Sequence, residues 1–279
     1  MLKTKLLLQI FFFVVSIASI SGKKCDSLGL LIYEDLGCVP EHGSDDQDCP
    51  VKYTCTGLGE PDGHCYFRGK SYRKHELVDN SLTSPPCDIG CFCSPDENIS
   101  RFICAVLDCP EWLGAPVTPG CYRKYSLDDC CSTGEICDSS NIEKCTVEGK
   151  EYKEGQKFYP ANTCLDCVCQ KGFKGKFEEP FCKRRRCGQQ LRRDGRKIQT
   201  SCAPFYTKAR SGEVLCCPED WICSDDSEIL KGDAKTQEIC KFGQKDVKVG
   251  QYFEKANFKN FEKIKCECVV PPLLKCTDA

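Results

Sequence analysis

Two stretches decide how this chain reads: Cys164-Leu165-Asp166-Cys167-Val168-Cys169 and, further on, Cys216-Cys217-Pro218-Glu219-Asp220-Trp221-Ile222-Cys223. A tight cysteine triplet followed by an adjacent pair and one last cysteine reads as a disulfide framework. Working outward, Cys145 opens the unit and is followed four residues later by Gly149-Lys150-Glu151-Tyr152. Cys182 and Cys187 come after the triplet, and Cys202 precedes the closing group. The same ten-cysteine order stands upstream: Cys65, Gly69-Lys70-Ser71-Tyr72, Cys87, Cys91 and Cys93, Cys104 and Cys109, then Cys121, Cys130-Cys131 and Cys137. Repetition at this density marks an array of small units.

Both ends of the chain extend the repeat as halves. Cys240, Cys266, Cys268 and Cys276 form a first half without a second, with Val247, Gly250 and Phe253 at the offsets of Tyr152, Gly155 and Phe158. Cys25, Cys38, Cys49 and Cys55 have the spacing of a second half without a first, and Asp48 stands where the adjacent pair would begin. Counting the ten cysteines of a full unit in order, the carboxy-terminal half lacks the second and the amino-terminal half lacks the eighth. Either one, left alone in a half, would be an unpaired thiol in an oxidising compartment. Their joint absence predicts that the second and eighth bond to each other across a full unit.

These residues resemble the von Willebrand factor type C (VWC) modules, whose signature is Cys-x-x-Cys-x-Cys in the first half and Cys-Cys-x5-Cys at the end. The 145–223 unit matches it literally, and the 65–137 unit has one extra residue between Cys87 and Cys91. The resemblance implies the cross-module bridges Cys87–Cys130 and Cys164–Cys216. It implies Cys65–Cys93, Cys91–Cys104, Cys109–Cys131 and Cys121–Cys137 in the first full unit. In the second it implies Cys145–Cys169, Cys167–Cys182, Cys187–Cys217 and Cys202–Cys223. The ends would hold Cys25–Cys49, Cys38–Cys55, Cys240–Cys268 and Cys266–Cys276. No cysteine remains for a link to another chain, which points to a monomer.

The expected fold class is therefore small disulfide-rich β modules: tandem VWC-like repeats in the order half (23–56), full (65–137), full (145–223), half (240–276), an elongated array without a single large core. Half-modules this short cannot bury enough apolar surface to offset chain entropy unaided. Each bridge is expected to contribute about 2–4 kcal/mol by restricting the unfolded chain. Tyr152, Phe158 and Tyr159, interleaved with Lys and Glu, predict short antiparallel strands in the first halves. The second halves read as largely irregular. Polar connections, the longest and most acidic being Ser224 to Ile239, suggest beads joined by linkers.

Residues 1–22 read as a signal peptide: Lys3 and Lys5, an apolar run from Leu6 to Ile17, then Ala18-Ser19-Ile20-Ser21-Gly22. No later apolar run is long enough to span a bilayer. The protein is thus expected outside the cell, where 28 cysteines pair as disulfides. Cys164-x-x-Cys167 looks like half of a zinc site, but zinc uses isolated ligand quartets, and His42, His64 and His75 are scattered. No metal or cofactor is expected.

Charge is unevenly placed. Lys183, Arg184, Arg185, Arg186, Arg192, Arg193, Arg196 and Lys197 lie in one window opposed only by Asp194, a local +7. In a secreted protein the matching polyanion is a sulfated glycan such as heparan sulfate, not nucleic acid, because guanidinium groups bind sulfate bidentately. The stretch from Cys25 to His64 nets −8, so contact between the acidic and basic segments, within one chain or between two, is open. Asn98-Ile99-Ser100 is a glycosylation sequon.

No Gly-x-Ser-x-Gly elbow, His-Glu-x-x-His or phosphate loop occurs, and each cysteine is better read as half of a bridge than as a nucleophile, so catalysis is not expected. Proteins similar to this one, such as chordin-like proteins, capture ligands of the BMP/TGF-β superfamily. The resemblance implies a growth-factor modulator that uses the first halves of the full modules as contact strands. The alternative is an extracellular-matrix or secreted defence protein whose modules are spacers, with protease inhibition a third class.

Overall fold

Disulfides stand where a larger protein would have a core. The computed structural model describes residues 24–43, 49–58, 63–83, 87–94, 100–137, 141–191, 195–207, 214–256 and 263–278. The signal-peptide segment, Asn98 and Ile99 of the sequon, and Arg192 and Arg193 lie outside the described residues. Fourteen disulfides are present and no cysteine is free. The spanning bridges are Cys87–Cys130 and Cys164–Cys216, and the halves are closed by Cys25–Cys49, Cys38–Cys55, Cys240–Cys268 and Cys266–Cys276. The remaining pairs are those the resemblance implies. The result is a set of small separate β-sheets with little helix and no large core. No described helix is long and apolar enough to cross a membrane.

The Gly-Lys-x-Tyr signature has a local cause. Strands Cys65–Phe67 and Lys70–Tyr72 are joined by Arg68-Gly69, and Lys144–Val147 and Lys150–Lys153 by Glu148-Gly149. All four turn residues have positive φ, 51° and 77°, then 50° and 79°. That is the two-residue hairpin turn whose twist suits paired strands, with glycine in a left-handed position. The turn sets the register, so Tyr72 faces Cys65, Tyr152 faces Cys145, and in the carboxy-terminal half Val247 faces Cys240. The third and fifth cysteines then sit directly across a second hairpin, as Cys167 with Cys182 and Cys266 with Cys276 do. Their Cα atoms are 4.1 and 4.0 Å apart, the close pairing of opposed antiparallel residues.

The second halves are more ordered than their sequence suggests. In the amino-terminal half a helix, Leu31–Leu36, precedes the hairpin Val39–His42 with Pro50–Thr54. In module 2 (145–223) the helix Gly195–Gln199 precedes Ala203–Tyr206 and Asp220–Ile222. Each helix ends on a left-handed residue, Gly37 and Ser201, and each end meets the turn of the following first half. A Cβ on Gly37 would lie 2.2 Å from the carbonyl carbon of Arg68, so only glycine fits. The carbonyl of Ser201 accepts the N–H of Gly243 at 3.0 Å.

The linkers had suggested units strung in a line, but contacts join the two ends. The Tyr33 hydroxyl donates to the carbonyl of Val270 at 2.5 Å and accepts the N–H of Leu273 at 3.0 Å, and Tyr53 N–H reaches Pro271. The two tyrosine rings stack at 4.2 Å. Strand Ala203–Tyr206 pairs in parallel with Lys275–Asp278, building one five-stranded sheet from module 2 and the carboxy-terminal half. Gln199 donates to the Ser100 carbonyl, and Leu191 enters the cluster of Phe67, Tyr72 and Phe102 in module 1 (65–137). The apolar residues of each half are too few to close a core alone, so four halves bury them jointly. The acidic connection is pinned too: Glu228, its side chain fully buried, pairs with Lys245 at 2.7 Å and Lys255 at 3.0 Å.

Candidate binding surface

The cross-strand rows of the first halves decide which face can meet a partner, because directly opposed residues of antiparallel strands share a face. In module 1 the row is Leu77, Phe92 and Ile103, with Leu77 opposite Phe92 and Phe92 opposite Ile103. Leu77 is 66% and Ile103 40% exposed. Ile89 opposite Ala105 continues the apolar face towards exposed Leu107. The hairpin holding it, Asp88–Ser94 with Arg101–Val106, is clamped from behind by Cys91–Cys104 and Cys65–Cys93, with Phe102 buried between Phe67 and Tyr72. The face is therefore braced from behind and apolar, with Leu77 and Ile103 exposed and Phe92 half-buried beside the His75 ring among the described residues.

The equivalent rows differ. In module 2 the row is Lys157, Val168 and Phe181: Lys157 opposes Val168, and Val168 donates to the Phe181 carbonyl at 2.9 Å. Val168 is fully buried. Phe181 packs on Phe173 at 5.4 Å in the module's own aromatic cluster, and the Lys157 amine lies 4.7 Å from the Tyr125 ring centre of module 1. In the carboxy-terminal half the row is Tyr252, Glu267 and Lys275. Glu267 pairs with Lys265 at 2.7 Å and Lys275 at 3.2 Å, and Lys265 covers Tyr252. Burial works against the Glu267 charge, but the two lysines prevail and hold its pKa below the ordinary value. One frame thus carries three faces: open apolar, self-covered and ion-paired.

Sequence reasoning pointed to the first halves but not to Leu77, Phe92 and Ile103. A signal for two of them was present, in the residue between the third and fourth cysteines (Phe92, Val168, Glu267) and the one before the fifth (Ile103, Phe181, Lys275).

The basic window does not form one free patch. Arg184 makes paired hydrogen bonds to Asp26 at 2.8 and 2.9 Å and to Glu34 at 3.1 and 3.2 Å. Asp26 is buried and Arg184 nearly so, with 18% of its side chain exposed. Desolvation opposes the Arg184 charge, and the bonds to Asp26 and Glu34 override it, leaving its pKa raised. Lys183 pairs with Asp128, Arg185 with Asp166, and Lys197 with Asp220. Arg186 is half-buried, and desolvation, then the neighbouring charge of Arg68, lowers its pKa. Arg196 is exposed. The acidic amino-terminal stretch is thus the partner of Arg184, which is internal to the fold, while Lys183, Arg185 and Lys197 form part-exposed pairs with other carboxylates.

No protein-family model and no solved structure matches the chain.

Proposed function

We propose that this is a secreted, non-catalytic binding protein that captures a protein ligand on the outer face of module 1. The observation that supports it is the row Leu77–Phe92–Ile103, apolar and exposed where the two equivalent rows are covered or ion-paired. A soluble protein seldom leaves a contiguous apolar face without a partner. A braced sheet face lets partner side chains bind with little ordering cost on this side. The ligand class is a growth factor of the BMP/TGF-β superfamily, as the resemblance to VWC modules implies, and the effect is modulation of its signalling.

The test is surface plasmon resonance of the full chain against a panel of such ligands, alongside the double variant Leu77→Glu/Ile103→Glu. Both side chains are exposed, and an unchanged melting midpoint of the variant checks that it folds. The expected result is binding by the native chain and a loss of about 100-fold in the variant, since two apolar anchors at about 1–2 kcal/mol each give that factor. Unchanged affinity in the variant rejects this face as the site. Absence of any interaction across the panel rejects the ligand class.

A further inference from the structure

A cleft lies between the modules, lined by none of the residues of the Leu77–Phe92–Ile103 row. The junction is fixed: Tyr125 N–H donates to the Gly155 carbonyl at 2.8 Å, and the Tyr122 hydroxyl to the Glu154 carbonyl at 3.0 Å. Beside these bonds runs the cleft, of about 700 Å³, continuing into a smaller recess of about 180 Å³ with which it shares Cys130, Lys157 and Tyr159. That volume is within the range of small-ligand sites, roughly 300–1,000 Å³.

Five aromatic side chains line the cleft: Trp112, Tyr122, Tyr125, Tyr152 and Tyr159. Cations already lie over the last four, Lys153 on Tyr122, Lys157 on Tyr125, Lys150 on Tyr152 and Arg185 on Tyr159. Trp112 and Tyr159 are the exposed ones, at 57% and 58%. Trp112 sits on a braced turn: its N–H donates to the Cys109 carbonyl, Ala115 N–H closes on Pro110, and Glu111 is held by the Ser132 N–H and hydroxyl. It is a preset platform, so binding on it costs little ordering.

The charged lining selects the ligand. Arg123, Lys150 and Lys157 face Glu111 and Glu151 in the cleft, and Arg186 faces Asp129 and Asp166 in the recess. Taken together, the lining of cleft and recess carries four cations and four carboxylates. Lys153 and Arg185 are engaged on the tyrosine rings and Arg185 also on Asp166, so a polyanion would meet repulsion along with attraction. A wholly apolar ligand would strip water from these charged groups and return no hydrogen bond. Aromatic faces beside donors and acceptors in balance fit a molecule with apolar C–H faces and many hydroxyls. We propose that the cleft between modules 1 and 2 binds an uncharged oligosaccharide, with Trp112 and Tyr159 as its stacking platforms.

The full chain reports this directly. It has two tryptophans, and Trp221 is buried with its indole N–H on Gln189, so a ligand-dependent change in emission comes from Trp112. The probes are chitohexaose, cellohexaose, maltohexaose, laminarihexaose and mannohexaose, with heparin hexasaccharide as the charged comparison. The expected result is a saturable change with at least one neutral hexaose at about millimolar concentration. Tyr159→Ala weakens it by about tenfold, and Leu77→Glu leaves it unchanged. Trp112→Phe abolishes the optical signal but not the calorimetric one. No saturable response to any neutral hexaose overturns the proposal, as does binding confined to the heparin fragment. Because Leu77→Glu is neutral here and damaging to growth-factor capture, either reading can fail without the other.

Discussion

In module 2 the second half buries Leu191, Ile198, Ala203, Phe205, Tyr206 and Trp221 against three other halves of the chain. In module 1 the corresponding region, from Cys109 to Cys137, shares a buried cluster made only of cysteines, Cys87, Cys109 and Cys130 with Cys131 against them. Its strands Cys121–Lys124 and Gly134–Cys137 carry no fully buried residue. Two regions with one disulfide grammar are thus fastened in different ways, one by bridges and surface hydrogen bonds to the next module, the other by bridges plus buried apolar packing. A shared framework specifies which cysteines meet. It leaves open how much of the remaining surface is free to bind.

The largest effect is expected where module 2 meets the amino-terminal half. Arg184→Ala leaves Asp26 buried without its cation, and loss of one partner of a buried pair costs about 3–5 kcal/mol. Calorimetric unfolding of the oxidised protein reads that as a lower midpoint, and an unchanged midpoint removes the pair from the account of module 2. Next is the spanning bridge. Cys87→Ser/Cys130→Ser is expected to cost about 2–4 kcal/mol and to raise hydrogen exchange throughout the Cys109–Cys137 region. The matching pair Cys164→Ser/Cys216→Ser is expected to leave Ile198 and Ala203 protected, because packing still holds that half. Equal exchange in both would erase the contrast.

Smaller is Tyr33→Phe, which deprives the Val270 carbonyl and the Leu273 N–H of a buried partner, at about 1–3 kcal/mol. The smallest is set by pH. Burial raises the pKa of Glu228, but hydrogen bonds from Lys245, the Asp225 N–H, Ser224 and Lys255 outweigh it and bring it from 4.5 to about 2. A carboxylate depressed in the folded state contributes stability that is full above the unfolded value near 4.5 and is lost as pH falls through about 2. Glu228→Gln is therefore expected to lower the melting midpoint at pH 7 by an amount worth about 1 kcal/mol, since Asp225 still pairs with Lys255. The difference from the native chain should shrink as pH falls below about 4.5 and vanish below about 2, and a gap that persists there assigns the effect to packing instead.

Much of the frame was legible because its signals are local or countable. Gly69 and Gly149 mark turns that put Tyr72 and Tyr152 opposite the opening cysteines, and the missing second and eighth cysteines imply a bond between them. The candidate sites were less legible. Leu77 lies ten residues before its module's triplet, and nothing in its neighbours says that Phe92 will stand beside it. The window from Lys183 to Lys197 read as an accessible basic patch because Asp26 and Glu34 are 158 and 150 residues from Arg184. Sequence distance hid the ion pairs. The second halves read as irregular because helices of five or six residues carry too few turns to show periodicity.

By itself the sequence determined a half, full, full, half array of small β modules with fourteen bridges, since a covalent grammar survives any arrangement of the units. Only the tertiary structure decided that the two ends meet through Tyr33 and Leu273, that Arg184 is internal, and that one first-half face of three stays open. Those outcomes depend on which surfaces cover one another, and burial is a property of the assembled chain.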